Sequence, residues 1–462
     1  MRDFCVDGTT PLSEPGMLRN EPFAAVQRPA FSEALRFWFK LGWISFGGTM
    51  GHIAIMYEFL VEKKKWISSR KFLHALSLCM ILPGPEAQEL ATYVGWQLHG
   101  TMGGLIAGTL FVLPSTFILL GLSIIYVSYG SIPWILAMFN GLKPAVVALI
   151  IIALLKVGQK ALRGPLHFFM AASAFGCMFF FNIGLPWIML STLLIAIIVN
   201  YSRPALFHNK HEMHAEEDEH EYYINRYSSD AAAKLEMRTI FTVISIALLL
   251  WFIPTLGFYF FAPDFRFWRS LALFFTKTAF VTFGGSYTVI PYVAQLSVSK
   301  LHWLAKSQMM DGFALAETTP GPLIIVLVFV GFMSAFNHFH GSIWMGTLAL
   351  LATTFYTFLP CFVFVFLGSP IVERTQGKPL IEGVLGLVTA VVLGAIMDLT
   401  LFLGKGVFFP RGALAINGLD WAALTWVAVS LVLLKRFKMN EMYVVLLSVT
   451  FGLIHYLIGS GL

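Results

Sequence analysis

The sequence predicts an all-α polytopic membrane protein built from two homologous halves with broken helices, and three observations predict it. First, 57% of the 462 residues are apolar and only 12% are charged, with a mean hydropathy of +0.75; a soluble domain carries about 25% charged residues. Second, many uncharged apolar runs reach the roughly 20 residues that a hydrocarbon core requires. Third, Phe46-Gly47-Gly48 recurs 237 positions later as Phe283-Gly284-Gly285, and Pro83-Gly84-Pro85 recurs at that same offset as Pro320-Gly321-Pro322. Lys40 with Lys277, Trp66 with Trp303 and Leu78 with Leu315 keep the register. Helix breakers at matching places in two halves of a membrane chain mark the binding region of a transporter.

The bulk properties narrow the class further. A net charge of +6 does not point to nucleic acid, because the basic residues sit at span ends, where they set topology. Cys5, Cys79, Cys177 and Cys361 are scattered without metal-knuckle or disulfide-framework spacing. The first thirty residues are polar, and Asp3, Asp7 and Glu14 argue against a cleavable signal peptide. A prokaryotic cytoplasmic (inner) membrane is the expected location, with the lipid bilayer as the chain's immediate partner.

The elements follow in order. After a polar tail (1–30), the first repeat (31–200) opens with two interrupted apolar segments, 35–60 around Gly47-Gly48 and 70–99 around Pro83-Gly84-Pro85. Span candidates follow at 103–128, 133–157, 166–182 and 185–200. A charged linker (201–238) leads to an extra span at 239–261, and the second repeat then completes 239–462. Its pieces are 270–297, 307–336, 341–368, 379–402, 419–434 and 440–458. An odd span between halves that each cross an even number of times turns the second half over, giving inverted repeats.

Basic loops weigh the alternatives. If the broken segments are re-entrant, Lys63-Lys64-Lys65, Arg70, Lys71, Lys156, Lys160, the linker and Lys435-Arg436 all fall inside, with the C-terminus outside. If they span fully, loops 61–71 and 298–307 change sides. Counting positive charge inside favours the re-entrant arrangement, and the count lies between 9 and 13 spans. The linker's His208, His211, His214 and His220 stand among acids and read either as a metal-binding tract or as a solvated cytoplasmic linker.

The breaks carry the chemistry. A helix breaks inside a membrane only where protein or a water-filled cavity covers the freed backbone, and each restarting helix presents a partly positive end with free N–H groups. Four breaks in two related pairs could converge on one anion; the alternative is that they only permit kinks or close packing. Pro85 and Pro322 suit the first turn of a restarting helix. Lys40 and Lys277, seven residues before the glycine pairs, could supply charge to the anion or snorkel to the interface. Glu86 and Glu317 could exchange a proton or, for Glu86, merely cap a helix. His52, Glu89 and Asp311 are further ionisable residues beside the breaks. Asp398, Lys143 and Lys156 lie deeper in spans and read as structural pairs. No nucleotide-binding, zinc-protease or prenyltransferase motif competes, so no catalytic residue, cofactor or metal is expected.

Ser45-Phe46-Gly47-Gly48 with His52-Ile53-Ala54, Leu82 to Gln88 (LPGPEAQ) and Tyr93-Val94-Gly95-Trp96 resemble the first domain of the chromate ion transporter family. Thr282-Phe283-Gly284-Gly285-Ser286-Tyr287 and Ala316 to Pro322 (AETTPGP) resemble the second domain of its two-domain members. Thr49 follows Gly48 where a proline is common in the family. The resemblance covers about residues 35–460. It implies export of chromate across the cytoplasmic membrane, driven by the proton gradient. The breaks and the ionisable residues beside them give the expected substrate-binding set: Lys40, Phe46, Gly47, Gly48, His52, Pro83, Gly84, Pro85, Lys277, Phe283, Gly284, Gly285, Pro320, Gly321 and Pro322, with Glu86 and Glu317 for proton coupling. Sulfate or another small anion is the alternative substrate, and a membrane-embedded enzyme or scaffold is the reading from another class. A homodimer is left open.

Overall fold

The computed structural model describes residues 28–45, 48–162, 164–202, 222–224, 237–282, 289–375, 379–409 and 418–460. Phe46, Gly47, Phe283, Gly284, Gly285, most of the charged linker and its four histidines lie outside the described residues. The described residues are predominantly helical, one of the two backbone arrangements, helix or closed barrel, that satisfy themselves inside a membrane. The first half comprises α1 (Phe31–Ile44), α2 (Gly48–Tyr57) ending in a π-helical turn (Glu58–Lys63), α3 (Ser69–Cys79), α4 (Glu86–Tyr129), α5 (Pro133–Ala161), α6 (Pro165–Phe181) and α7 (Leu185–Ser202). Helix α8 (Met237–Phe261) joins the halves. The second half comprises α9 (Phe265–Val281), α10 (Val289–Ala294) with a π-helical turn (Gln295–Lys300), α11 (Lys306–Thr318) and α12 (Val326–His338). It ends with α13 (Ile343–Thr375), α14 (Pro379–Phe408), α15 (Trp421–Lys435) and α16 (Glu441–Ser460).

Local geometry recurs at the 237-residue offset. The π-helical turns 58–63 and 295–300 coincide in register. Lys65 and His302 both adopt left-handed backbone at φ 50° and 49°. Trp66 N–H donates to Leu60 O at 2.8 Å, and Trp303 N–H donates to Ser297 O at 2.9 Å. Helix α4 bends at His99–Gly100 (φ +66° at Gly100), and the corresponding corner of the second half, between α12 and α13, holds Gly341 at φ +86°.

Contacts between element ends define how the broken segments run. Lys64 Nζ reaches Glu33 Oε1 at 2.6 Å and Phe37 stacks on Phe59 with centroids 4.0 Å apart, so the far end of the α1–α2 pair comes back to where α1 begins. Arg28 Nε donates to Leu98 O at 2.7 Å and His99 Nε2 meets Pro29 O at 3.0 Å. The start of α1, the start of α3 and the bend of α4 therefore share one end of the molecule. In the second half, Asn337 Nδ2 donates to Trp303 O at 2.9 Å and the Phe267 ring stacks on His338 at 4.6 Å, closing the same arrangement. Each broken segment thus has its two ends close together at one end of the molecule.

Long apolar helices complete each half. Among the described residues, six helices are long and apolar enough to cross a membrane, including α8, and α6, α7, α12 and α15 are shorter apolar helices. Glycines let the crossing helices touch. A Cβ on Gly141 would lie 2.3 Å from Ser448 O, and one on Gly452 would lie 2.2 Å from Ala137 O, so α5 and α16 meet backbone to backbone, the small-residue contact common in membranes. Helix α8 has a single buried residue, Thr255, and presents mostly apolar side chains outward, as a lipid-facing helix does.

Candidate functional site

Among the described residues, the restarting half-helices hold the longest buried runs. Every residue from Glu86 to Gly95 is buried, and so is every residue from Leu323 to Ala335. Pro85 (φ −78°, ψ 107°) and Pro322 (φ −67°, ψ 136°) occupy the capping position just ahead of the helix. That is one residue earlier than the first-turn placement the sequence suggests. The physical advantage is the same: fixed φ and no N–H to satisfy. Pro85 O accepts from the amides of Gln88 (2.9 Å) and Glu89 (3.0 Å), and Pro322 O accepts from Ile325 (2.9 Å).

The two tips are exchanged between the halves. Gly84 N–H donates to Thr282 O at 2.6 Å, and Gly321 N–H donates to Ser45 O at 2.7 Å. Thr282 and Ser45 are the last described residues before the two Phe-Gly-Gly breaks and correspond at the same 237-residue offset. The two contacts are reciprocal: each runs from a tip in one half to the other half. Each Pro-Gly-Pro tip is thus held by the residue that precedes the Phe-Gly-Gly sequence of the opposite half. Ser45 and Thr282 turn their own hydroxyls back to Leu41 O (2.5 Å) and Thr278 O (2.7 Å), leaving their main-chain carbonyls for the crossing bonds.

Both tip glycines are sterically required. A Cβ on Gly321 (φ +97°) would sit 2.4 Å from Ser115 Oγ, and one on Gly84 would sit 2.3 Å from Glu89 Oε1 and 3.1 Å from Cys361 Sγ. Ser115 and Cys361, each following a helix-interior proline (Pro114, Pro360), play matching parts on α4 and α13.

The side chains around the matched backbone differ. His52 is fully buried on α2; its ring meets Phe111 edge-on at 5.5 Å and approaches the Ser45 main chain without closing a hydrogen bond. It therefore belongs to the tip of the second half. Glu89 is fully buried beside Gly84 with neither carboxyl oxygen hydrogen-bonded, and Gln88 Oε1 is likewise without a donor. Glu86 is buried one turn away. Glu317 turns instead toward Glu441 and Lys156, themselves paired at 3.3 Å, so the two coupling candidates occupy unlike surroundings. Lys40 and Lys277 are exposed on α1 and α9, away from the buried faces of those helices. The structure thus places Gly84, Pro85 and Glu86 at one tip and His52, Gly321 and Pro322 at the other, and leaves both lysines outside them.

Two features were not singled out as site residues from sequence. Glu89 lies in the same motif as Glu86, but only the fold shows which carboxyl abuts the tip glycine. Asp311 is held by Tyr126, whose hydroxyl donates to Oδ2 at 2.9 Å, and by Lys143 at 3.4 Å from Oδ1; this ties α11 to α4 and α5. Among the described residues, no cluster of three or more His, Cys, Asp or Glu side chains is placed to hold a metal ion.

Helices broken in matched pairs, adjoining inside a multi-pass apolar bundle, define a membrane transporter of the broken-helix class. The sequence profile of the chromate transporter family matches residues 32–199 and 269–453, and the chain belongs to that family. It is 26% identical over 426 residues to a chromate transport protein of Cupriavidus metallidurans, covering 92% of this chain and 93% of that protein. A probable chromate transport protein of Synechococcus elongatus is 26% identical, covering 82% of this chain and 86% of its own length. A chromate transport protein of Pseudomonas aeruginosa is 28% identical over 78% of this chain and 79% of its own. No solved structure matches the chain significantly.

Proposed function

We propose that the chain is a secondary active transporter exporting chromate across the cytoplasmic membrane, driven by the proton gradient. The observation that carries this reading is the reciprocal pair Gly84 to Thr282 and Gly321 to Ser45. It ties each Pro-Gly-Pro tip to the residue preceding the opposite half's Phe-Gly-Gly sequence, and a helix restarting just after each tip offers a partly positive end that favours an anion. Relatives named as chromate transport proteins supply the substrate. The anion is held by Phe46-Gly47-Gly48, Phe283-Gly284-Gly285 and the two Pro-Gly-Pro tips, with His52 beside them. Glu86 and Glu317 exchange protons with the two faces. The end carrying Lys63, Lys64 and Lys65 faces the cytoplasm, as the positive-inside rule requires, and the halves enter from opposite faces.

Counterflow of labelled chromate in proteoliposomes tests the reading. Uptake against a chromate-loaded interior, accelerated by an imposed pH gradient, is the expected result; no counterflow above protein-free vesicles would refute it. Sulfate shares the shape and charge of chromate, so unlabelled sulfate is the competitor to include. Competition at equal concentration would make the protein a general oxyanion carrier.

A further inference from the structure

The exposed Lys40 belongs to a cleft that the transport reading does not use. Between α1 and the α2 π-helical turn lies a cavity of about 410 Å³, with Arg36, Lys40, Lys63 and Lys64 at its rim. Its floor is apolar and includes Phe37, Leu41, Ile44, Ile55 and Phe59. Two of the four cations are already paired, Lys63 with Glu58 and Lys64 with Glu33, both at 2.6 Å. Among the described residues no acid pairs with Arg36 or Lys40. These two stand one helical turn apart on α1, on one face. Beyond them the same helix offers Phe39 (52% exposed) and Trp43 (46% exposed) to the surroundings. A polar, cationic rim thus opens directly onto an exposed apolar surface.

The corresponding place in the second half lacks this character. At the 237-residue offset Leu273 replaces Arg36, Leu301 replaces Lys64 and Gln295 replaces Glu58. Shared backbone geometry therefore does not require these charges. They are confined to the end of the molecule that also carries the basic loop Lys63-Lys64-Lys65.

We propose that this cleft binds the head group of an anionic phospholipid from the adjoining leaflet. Arg36 and Lys40 take the phosphate, and an acyl chain lies along Phe39 and Trp43. A soluble anion needs only the charged rim, whereas a lipid also uses the apolar floor and the aromatic flank. Cytoplasmic leaflets are anionic, and basic pockets at helix ends recognise such head groups.

Native mass spectrometry of the purified full chain, titrated with phosphatidylglycerol or phosphatidylcholine, tests this. Wild-type protein retains phosphatidylglycerol preferentially. The Arg36→Gln/Lys40→Gln variant loses about thirtyfold in that affinity, from two juxtamembrane charges. The counterpart Lys277→Gln/Lys300→Gln keeps it, which separates the cleft from a general effect of charge. Arg36→Lys/Lys40→Arg, which retains the charge, restores binding and excludes misfolding as the cause. Equal retention of both lipids, or unchanged preference in the double Gln variant, overturns the proposal. So does displacement of bound phosphatidylglycerol by millimolar chromate or inorganic phosphate, because the cleft would then be a soluble-anion site. None of these readouts depends on transport, so failure here leaves the transport reading untouched.

Discussion

The Ser68 amide donates to Ile224 O at 3.0 Å, and Ile224 N–H donates back to Trp66 O at 2.9 Å. These bonds and the parallel bridge between Ile67 and Ile224 clip the middle of the charged linker onto the loop that joins the two broken segments of the first half. Residues 222–224 of the linker therefore lie on the same side as residues 66–68 of the loop. That relation constrains topology more directly than counting charges, because it does not depend on how many times the intervening helices cross.

In a background with the native cysteines replaced by serine, single cysteines at Lys64 and Tyr222 are expected to react with a membrane-impermeant maleimide only from the cytoplasm. A cysteine at Gly459, in the last turn of α16, reacts only from outside. Labelling of position 64 and position 222 from opposite faces would contradict the Ser68–Ile224 contact itself. Labelling of both from outside would keep the contact and reverse the orientation.

The tip glycines allow a steric test. Gly321→Ala places a methyl group against Ser115 at backbone dihedrals that cost a non-glycine residue roughly 1–2 kcal/mol. Chromate flux is expected to fall by tenfold or more while the protein still inserts. Removing the obstructing side chain with Ser115→Gly leaves only the backbone cost, so the double variant recovers part of the flux. A double variant no better than Gly321→Ala would show that conformational freedom, not space, is what the position needs.

How much of this was legible in the sequence differs from residue to residue. The repeated tripeptides are local signals, and helix boundaries fall close to the segments they define: 103–128 within α4, 133–157 within α5, 239–261 within α8. The exchange of tips was not legible, because Gly84 and Thr282 are distant in sequence and each motif reads the same whether it meets its own half or the other. Side-chain direction was equally hidden. Lys40 and Lys277 keep perfect register yet point outward, since register fixes position along a helix and only packing decides which face is buried. Glu86 and Glu89 differ by three residues of one half-helix, and the neighbour at Gly84 alone distinguishes them.

The Asp311 pair makes a stability prediction. Its side chains are 5% and 18% exposed for Asp311 and Lys143, and removing one member of a buried ion pair leaves the other uncompensated, at a cost of about 3–5 kcal/mol. Lys143→Met should therefore lower the thermal midpoint of the detergent-purified protein markedly. Tyr126→Phe, which removes one hydrogen bond to a charged group, should cost about 1.5–3 kcal/mol. Asp311→Asn combined with Lys143→Met should recover most of the loss. If the single and double variants unfold at the wild-type temperature, the pair is not holding α11 against α5.

The last prediction separates anion binding from proton coupling. Tips held by main-chain bonds between the halves present amides whose partial charge is independent of pH, so binding at the tips should survive loss of a nearby carboxyl. Coupling, by contrast, needs a group that gains and loses a proton as access alternates, and a neutral amide cannot. Glu86→Gln and Glu317→Gln are therefore expected to bind chromate within about twofold of wild type by calorimetry, a difference of only about 0.4 kcal/mol. They should also lose the acceleration of counterflow by an imposed pH gradient. Because Glu317 faces Lys156 and Glu441 whereas Glu86 lies by the first tip, the two variants need not fail alike. Loss in Glu86→Gln alone would place coupling at the Gly84 tip. If both variants keep wild-type pH-driven flux, neither glutamate is the carrier, and Glu89→Gln, at the carboxyl packed on Gly84, becomes the decisive substitution.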